Sequence, residues 1–250
     1  MLCSLDMQLI SLNTWGGQVW EPLKEFLVRH ASETDIFCLQ EIFHNAAHPR
    51  PALGPVRPEL FTDIEAILGG HTGFYAPSQV DDEGLAMFVK KGLPVTREGD
   101  VFVHRHLNAM ENNDGRTIGR NLQFVEFTIT GEVYTIINFH GMWTGGGKDD
   151  TPERIEQSRK LRTFMDAAPG RRILVGDFNL EPQTESMAIV RNGMRDLIAE
   201  HGITSTRTSF YTKPVKFADY CIVSPDVSVE TFQVLPDEVS DHAALLLRFS

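Results

Sequence analysis

Residues 173–179, "ILVGDFN", constrain the fold most. Ile173, Leu174 and Val175 are apolar at consecutive positions, so a strand here is buried on both faces and needs a layer against each. The run ends in Gly176, Asp177 and Asn179, with only Phe178 between the two polar groups. Such an ending has two readings. One is a turn that favours Asp and Asn; the other is a reactive centre held at the end of a rigid strand.

Strand and helix signals alternate along the chain. "MQLISLNTW", "DIFCLQEIF", "TGFYAPS", "LAMFVKKG", "NLQFVEFTIT", "EVYTIINFH", "RRILVGDFN", "FADYCIVS", "VSVETFQVL" and "AALLLRF" read as strands, and the fifth and sixth form a hairpin about Gly131. "EPLKEFLVRH" reads as a helix, with Pro22 in its first turn and Leu23, Phe26, Leu27 and His30 on one face. "ELFTDIEAIL" is a short helix stopped by Gly69 and Gly70, and a further helix surrounds "TESMAIVRN". The clearest helix is "TPERIEQSRKLRTFMDAA", capped by Thr151, with Ile155, Leu161, Phe164, Met165 and Ala168 facing inward. Neither the four-proline stretch at 48–58 nor the Gly-rich "TGGGKDD" at 144–150 divides the chain, so residues 1–250 are expected to form one domain. The Gly-rich stretch fails as a phosphate loop, because Asp149 follows Lys148 where Ser or Thr is required. It is expected to be a mobile loop beside a cleft.

The 250 residues are 42% hydrophobic and 23% charged, enough for a sizeable core without staples. Of three cysteines, Cys38 and Cys221 lie in apolar strand runs and read as inert buried thiols, while Cys3 sits near the N-terminus. No secretory signal and no membrane-spanning run is visible, which makes a reducing, cytoplasmic setting and a monomer the default expectations. The net charge of −11 argues mildly against non-specific nucleic-acid binding.

Eight polar residues in six segments share one placement, within or at the end of an apolar strand. They are Asn13, Glu41, His140, Asp177, Asn179, Asp219, Asp241 and His242. Each alone has an ordinary structural explanation, but eight do not, since an unpartnered buried charge costs several kcal/mol. If they converge, the site holds four carboxylates, two amides and two histidines. Four carboxylates together need a cation, and an oxygen-rich set without cysteine favours Mg2+ or Mn2+ over structural zinc. That chemistry suits metal-assisted phosphoester cleavage.

"LNTWGG", "LQEIF", "NFHGMW", "GDFNLEP", "FADYCIVS" and "SDHAALLL" stand in the order of the motifs of the endonuclease/exonuclease/phosphatase superfamily, which the chain resembles from Asn13 to His242. The resemblance implies a DNase I-like four-layer α/β/β/α sandwich with two mixed sheets and a cleft at their strand ends. It implies that Glu41 is the principal metal ligand, with Asn13 beside it and Asp241 joining the metal shell. Asp177 resembles the carboxylate that orients or deprotonates the attacking water, and Asn179 the amide that positions it. His242 resembles the histidine bonded to a phosphate oxygen, Asp219 its carboxylate partner, and His140 a histidine able to protonate the leaving oxygen. Ile42, Phe43 and His44 after Glu41 depart from the exonuclease III type of abasic-site endonuclease, which carries a lysine there.

The bond to be broken is thus better specified than the molecule around it. Arg116, Arg120, Arg207 and Lys213 are candidate phosphate contacts, and Trp143 a candidate stacking or pocket residue. No polybasic run tracks successive phosphates, as a nuclease cleft requires. A Mg2+-dependent phosphoesterase on a small or lipid-derived phosphate is the first expectation. A DNA or RNA nuclease is the second, and a non-catalytic binding module the third.

Overall fold

The computed structural model describes residues 6–46, 54–79, 83–108 and 119–250. Two six-stranded sheets stack face to face. In the first, the strands β1 (Met7–Asn13), β2 (Ile36–Phe43), β3 (His71–Pro77), β4 (Glu83–Lys90), β11 (Val229–Val234) and β12 (Leu245–Phe249) lie in the order β11-β12-β1-β2-β4-β3. The second takes β5 (Val95–His104), β6 (Arg120–Ile129), β7 (Glu132–His140), β8 (Arg171–Asp177), β9 (Arg195–Asp196) and β10 (Asp219–Val223), in the order β5-β6-β7-β8-β10-β9. Parallel pairs, β1 with β2 and β7 with β8, lie inside otherwise antiparallel sheets. The sandwich expected from the motifs is the fold observed.

Alternation along the strands sorts the core. In β1, Met7 and Leu9 face the second sheet, while Ile10 and Leu12 face the helices α1 (Trp20–His30) and α2 (Leu60–Ile67). Leu23, Phe26 and Leu27 of α1 are buried there, the stripe its spacing predicts. The second sheet is covered by α3 (Pro152–Ala167) and α4 (Glu185–Arg191) through Leu161, Met165, Met187 and Val190. A last short helix, α5 (Leu197–Glu200), follows β9.

Thr151 caps α3 as expected, its hydroxyl accepting from the Arg154 amide. The inward face of α3 differs from the expected one: Arg154, Gln157 and Ser158 are buried with Leu161 and Met165, whereas Ile155 is only half-buried. Arg154 accounts for this by tying down the preceding loop. The edge strand β5 escapes a reading by hydrophobic pattern because only Val103 in it is buried and Thr96, Arg97, Glu98 and Asp100 are exposed and polar or charged. Cys38 and Cys221 are free and buried, and burial pushes both thiols well up. Cys3 lies outside the described residues. Among the described residues no helix is long and apolar enough to cross a membrane.

Gly176 sets how closely β7 and β8 approach beside the strand ends. Its φ is +138°, and a Cβ there would stand 2.0 Å from the Phe139 carbonyl oxygen. Gly176→Ala is therefore expected to destabilise the protein by about 1–3 kcal/mol through overpacking and backbone strain. Urea denaturation tests this, and an unchanged midpoint would contradict it.

Candidate active site

Register in the second sheet brings three site residues abreast: His140 pairs with Asp177 across β7–β8, and Asp177 with Asp219 across β8–β10. Residues opposite one another share a face, here the one turned towards the first sheet. The inner face of that sheet supplies Asn13, at the end of β1. Its Nδ2 donates to Glu41 Oε1 at 3.0 Å and to Asp177 Oδ2 at 3.1 Å, so one amide joins the two sheets.

Glu41 reaches this face only through a bulge. Gln40 already points inward, donating to Asn138 of β7 at 2.7 Å, so strict alternation would turn Glu41 towards the helices. The pairing of β2 with β4 instead slips by one residue between Leu39 and Ile42, and Glu41 takes φ 55°. Thr14 holds the bulge, its hydroxyl donating to the carbonyls of Gln40 at 2.9 Å and Glu41 at 3.1 Å. Asn179 has the other left-handed backbone of the site, with φ 53°. Its amide donates to Asp177 Oδ1 at 2.8 Å, and its carboxamide lies 3.4 Å from His140 Nε2. Phe178 packs on Phe139 and Tyr220, away from the site.

Asp177 Oδ2 lies between two imidazoles, 3.7 Å from His140 Nε2 and 3.5 Å from His242 Nε2. Burial works to raise the Asp177 pKa, but His242, His140, Lys148 and Arg207 outweigh it and hold the carboxyl well below the usual range. His242 Nδ1 lies 2.8 Å from Asp219 Oδ1, and Thr206 Oγ1 donates to Asp219 Oδ2 at 2.8 Å. Burial opposes charge on His242. Asp219, aided by Asp177 and Asp241, outweighs both it and Arg207 and raises the pKa above the ordinary histidine value.

His140 is the opposite case. Arg120 Nη1 donates towards His140 Nδ1 at 3.1 Å and pairs with Glu83 at 3.0 Å, both residues being buried. A guanidinium has no acceptor, so His140 Nδ1 must be unprotonated and the ring proton sits on Nε2. Burial, then Arg120, push its pKa down to about 3. The expectation that His140 acts as a proton-donating acid thus meets a neutral imidazole. Arg120, expected at the substrate, is instead closed off beneath that ring. Glu83 was missed because its strand begins in a polar turn that gives no hint of burial.

The remaining candidates divide. Arg207 is buried along its side chain, pairs with Asp241 at 2.9 Å and lies 4.0 Å from the Tyr211 ring centre. Trp143 and Lys213 are exposed. Arg116 lies outside the described residues. Lys148, which the failed phosphate-loop spacing had set aside, is 7% exposed and close enough to Asp177 for its charge to be felt there.

The residues fit a hard cation. Glu41 keeps a quarter of its side chain exposed, faces Glu83 and Asp241, and takes one side-chain hydrogen bond, from Asn13. Buried Asp241 Oδ1 has no hydrogen-bond partner among the described residues. Burial, Glu83 and Asp241 raise the Glu41 pKa to about 7 although Asn13 opposes them, the mark of a carboxylate lacking positive charge. Asp177, Asp219 and His242 also offer ligand atoms within 4.8 Å of one another, but His242 is already bonded to Asp219. Glu41 and Asp241 are further carboxylates of the cleft with capacity left for a ligand.

A pH dependence follows for the metal-free protein. With a folded pKa above the ordinary 4.5, Glu41 adds stability below that value and loses it as pH rises through about 7. Melting temperature in EDTA should fall across this window for wild type, less steeply for Glu41→Gln, and Mg2+ or Mn2+ should offset the wild-type fall. Parallel curves for the two proteins would refute the assignment.

Residues 10–242 match the Endonuclease/Exonuclease/phosphatase family. The chain belongs to this family. It is accordingly a hydrolase acting on phosphoesters, from a divalent-metal-dependent group. A family member from Bacteroides thetaiotaomicron is similar at TM-score 0.75 and 18% identity, covering 98% of this chain and 97% of its own. A mannosyl-6-phosphatase of that organism gives 0.74 and 17%, over 98% and 99%. TDP2 of D. rerio, complexed with single strand DNA product, gives 0.72 and 16%, over 99% and 100%. No curated protein sequence matches significantly.

Proposed function

We propose that the chain is a Mg2+- or Mn2+-dependent phosphoesterase of a small phosphorylated molecule, hydrolysed by in-line attack of water. The observation that carries this is Asp177, charged and held between His140 and His242, with Asn13 linking it to Glu41. Glu41 and Asp241, with Asn13 beside them, would hold the metal, which would supply charge neutralisation at the phosphoryl oxygens. Asp177 accepts a proton of the water in hydrogen bonding and aims its lone pair, while Asn179 fixes the carboxylate and the water from the other side. A carboxylate held at so low a pKa is a weak base, which suits a loose transition state that asks for little early deprotonation. His242, charged and oriented by Asp219, donates from Nε2 to a phosphoryl oxygen. His140, neutral, donates from Nε2 to the leaving oxygen or a neighbouring one without giving up its proton.

The size of the substrate is argued from charge. The buried cations Lys148, Arg207 and His242 all bear on Asp177, and the sequence, at net charge −11, carries no polybasic run. One phosphate is served well and a polymer backbone poorly. The nuclease reading keeps one favourable observation: Phe210 and Trp143 are exposed large aromatics, and Trp15 lies 6.3 Å from the Phe210 ring. The mannosyl-6-phosphatase and the DNA-bound TDP2 among the similar structures represent both kinds of substrate. A Mg2+/Mn2+ activity panel of sugar phosphates, nucleotides, phosphoinositides, sphingomyelin, plasmid, single-stranded DNA and RNA decides between them. Turnover of a small phosphoester is expected. Activity on nucleic acid alone would reverse the order.

A further inference from the structure

The Gly-rich segment between β7 and α3 is built rather than loose. Arg154 Nη1 donates to the carbonyls of Gly147 at 3.0 Å and Asp149 at 2.6 Å, and Nη2 to that of Met142 at 3.1 Å. The Lys148 carbonyl accepts from the Glu181 amide at 3.0 Å. Asp150 accepts from the amides of Glu185 and Ser186 at the start of α4. Every residue from 147 to 150 is thus anchored, and the one whose side chain is driven inward is Lys148.

That side chain is hard to explain as a tether. Nζ donates to the Phe217 carbonyl at 2.8 Å, its one hydrogen-bond partner among the described residues, although an ammonium carries three donors. A neutral donor would hold Phe217 without burying a charge. Phe217 stands two residues before Asp219, and Lys148 Nζ lies 5.8 Å from the centre of the Tyr211 ring that also carries Arg207, the partner of Asp241, so its ammonium sits beside the groups of the cleft. Arg207 Nε, buried over the same Tyr211 ring, has no hydrogen-bond partner among the described residues. Spare donors on two buried cations beside one point are the groups that bind an anion.

We propose that Lys148 is a substrate-contacting residue whose ammonium, with Arg207, holds an oxygen of the phosphoryl group next to Asp177 and His242. The proposal rests on the phosphoesterase reading for its substrate class, but it is tested by binding. Inorganic phosphate is titrated into the full chain in Mn2+ by calorimetry, for wild type, K148M, K148Q and K148R. Phosphate affinity is expected to fall at least tenfold in both K148M and K148Q and to recover in part in K148R. Melting temperatures should be unchanged or higher, since a buried charge has been removed. Wild-type affinity in K148M overturns the proposal, and so does a wild type that binds no phosphate. A loss in K148M but not in K148Q, which keeps a neutral donor for Phe217, also overturns it, because the lysine would then be only a tether. If K148M does not fold, K148Q against K148R carries the comparison. A wild type that binds phosphate through Lys148 yet hydrolyses no phosphoester fails the functional reading and sustains this one.

Discussion

Asp177→Asn is expected to lower kcat by about 100- to 10,000-fold, the range for losing the group that orients the attacking water in line with the leaving oxygen. The geometry explains why so small a change matters. Oδ1 accepts from the Asn179 amide at 2.8 Å and Oδ2 from Asn13 Nδ2 at 3.1 Å, while Oδ2 also faces both imidazoles. An amide has one oxygen and one NH2, so in either orientation it presents hydrogens to a donor that the carboxylate accepted from. The water also loses its charged acceptor. Stability should shift by no more than about 1–2 kcal/mol, since a buried charge is lost along with one hydrogen bond. Steady-state kinetics on whichever substrate the panel identifies, with denaturation as control, tests both halves. Near-wild-type turnover would falsify the role given to Asp177.

His242→Ala should lower kcat by about 100- to 1000-fold, as removal of one preorganised donor to a developing oxyanion does. The pH profile is the sharper test. His242 has a folded pKa above the ordinary 6.5 and must be charged to donate while remaining bonded to Asp219. Activity should hold below that raised value and fall as pH rises through it. The stability its charge contributes has the same sign: present below 6.5 and lost as pH rises through the folded pKa. Asp219→Asn removes the main charge raising it, so the alkaline limb of activity should move to lower pH while protein remains folded. An alkaline limb in the same place in wild type and Asp219→Asn would exclude His242 as the titrating group.

Much of this site was legible beforehand because strand ends put their marks in the sequence. Asn13 and Asp177 close apolar strands, Asp219 opens one and His242 stands just before another, and a polar group in such a place needs a partner. The two glycines after Leu68, the Thr151 cap and the Leu23–Phe26–Leu27 stripe were legible for the same local reason: each is decided within a few residues. β5 was not, since the charged and polar residues of this half-exposed edge strand break its hydrophobic pattern. The Gly-rich loop was misread as mobile because what fixes it, the Arg154 guanidinium, lies on a helix face that pattern reading assigns to solvent.

The sequence by itself determined the order of the apolar strands and the longer helices, the apolar faces of the inner strands, and the set of groups able to perform phosphoester chemistry. Only the tertiary structure decided the states of those groups. The bulge that turns Glu41 into the cleft depends on pairing with β4. The neutrality of His140 depends on Arg120, twenty positions earlier in the chain and on the adjacent strand. The charge of His242 depends on Asp219, and the place of Lys148 on Phe217, Arg154 and Asp177. The physical reason is one of range. Hydrophobic periodicity is a local property of the chain, whereas a proton's position is set by charges and donors within a few ångströms in space, which distant segments bring together only on folding.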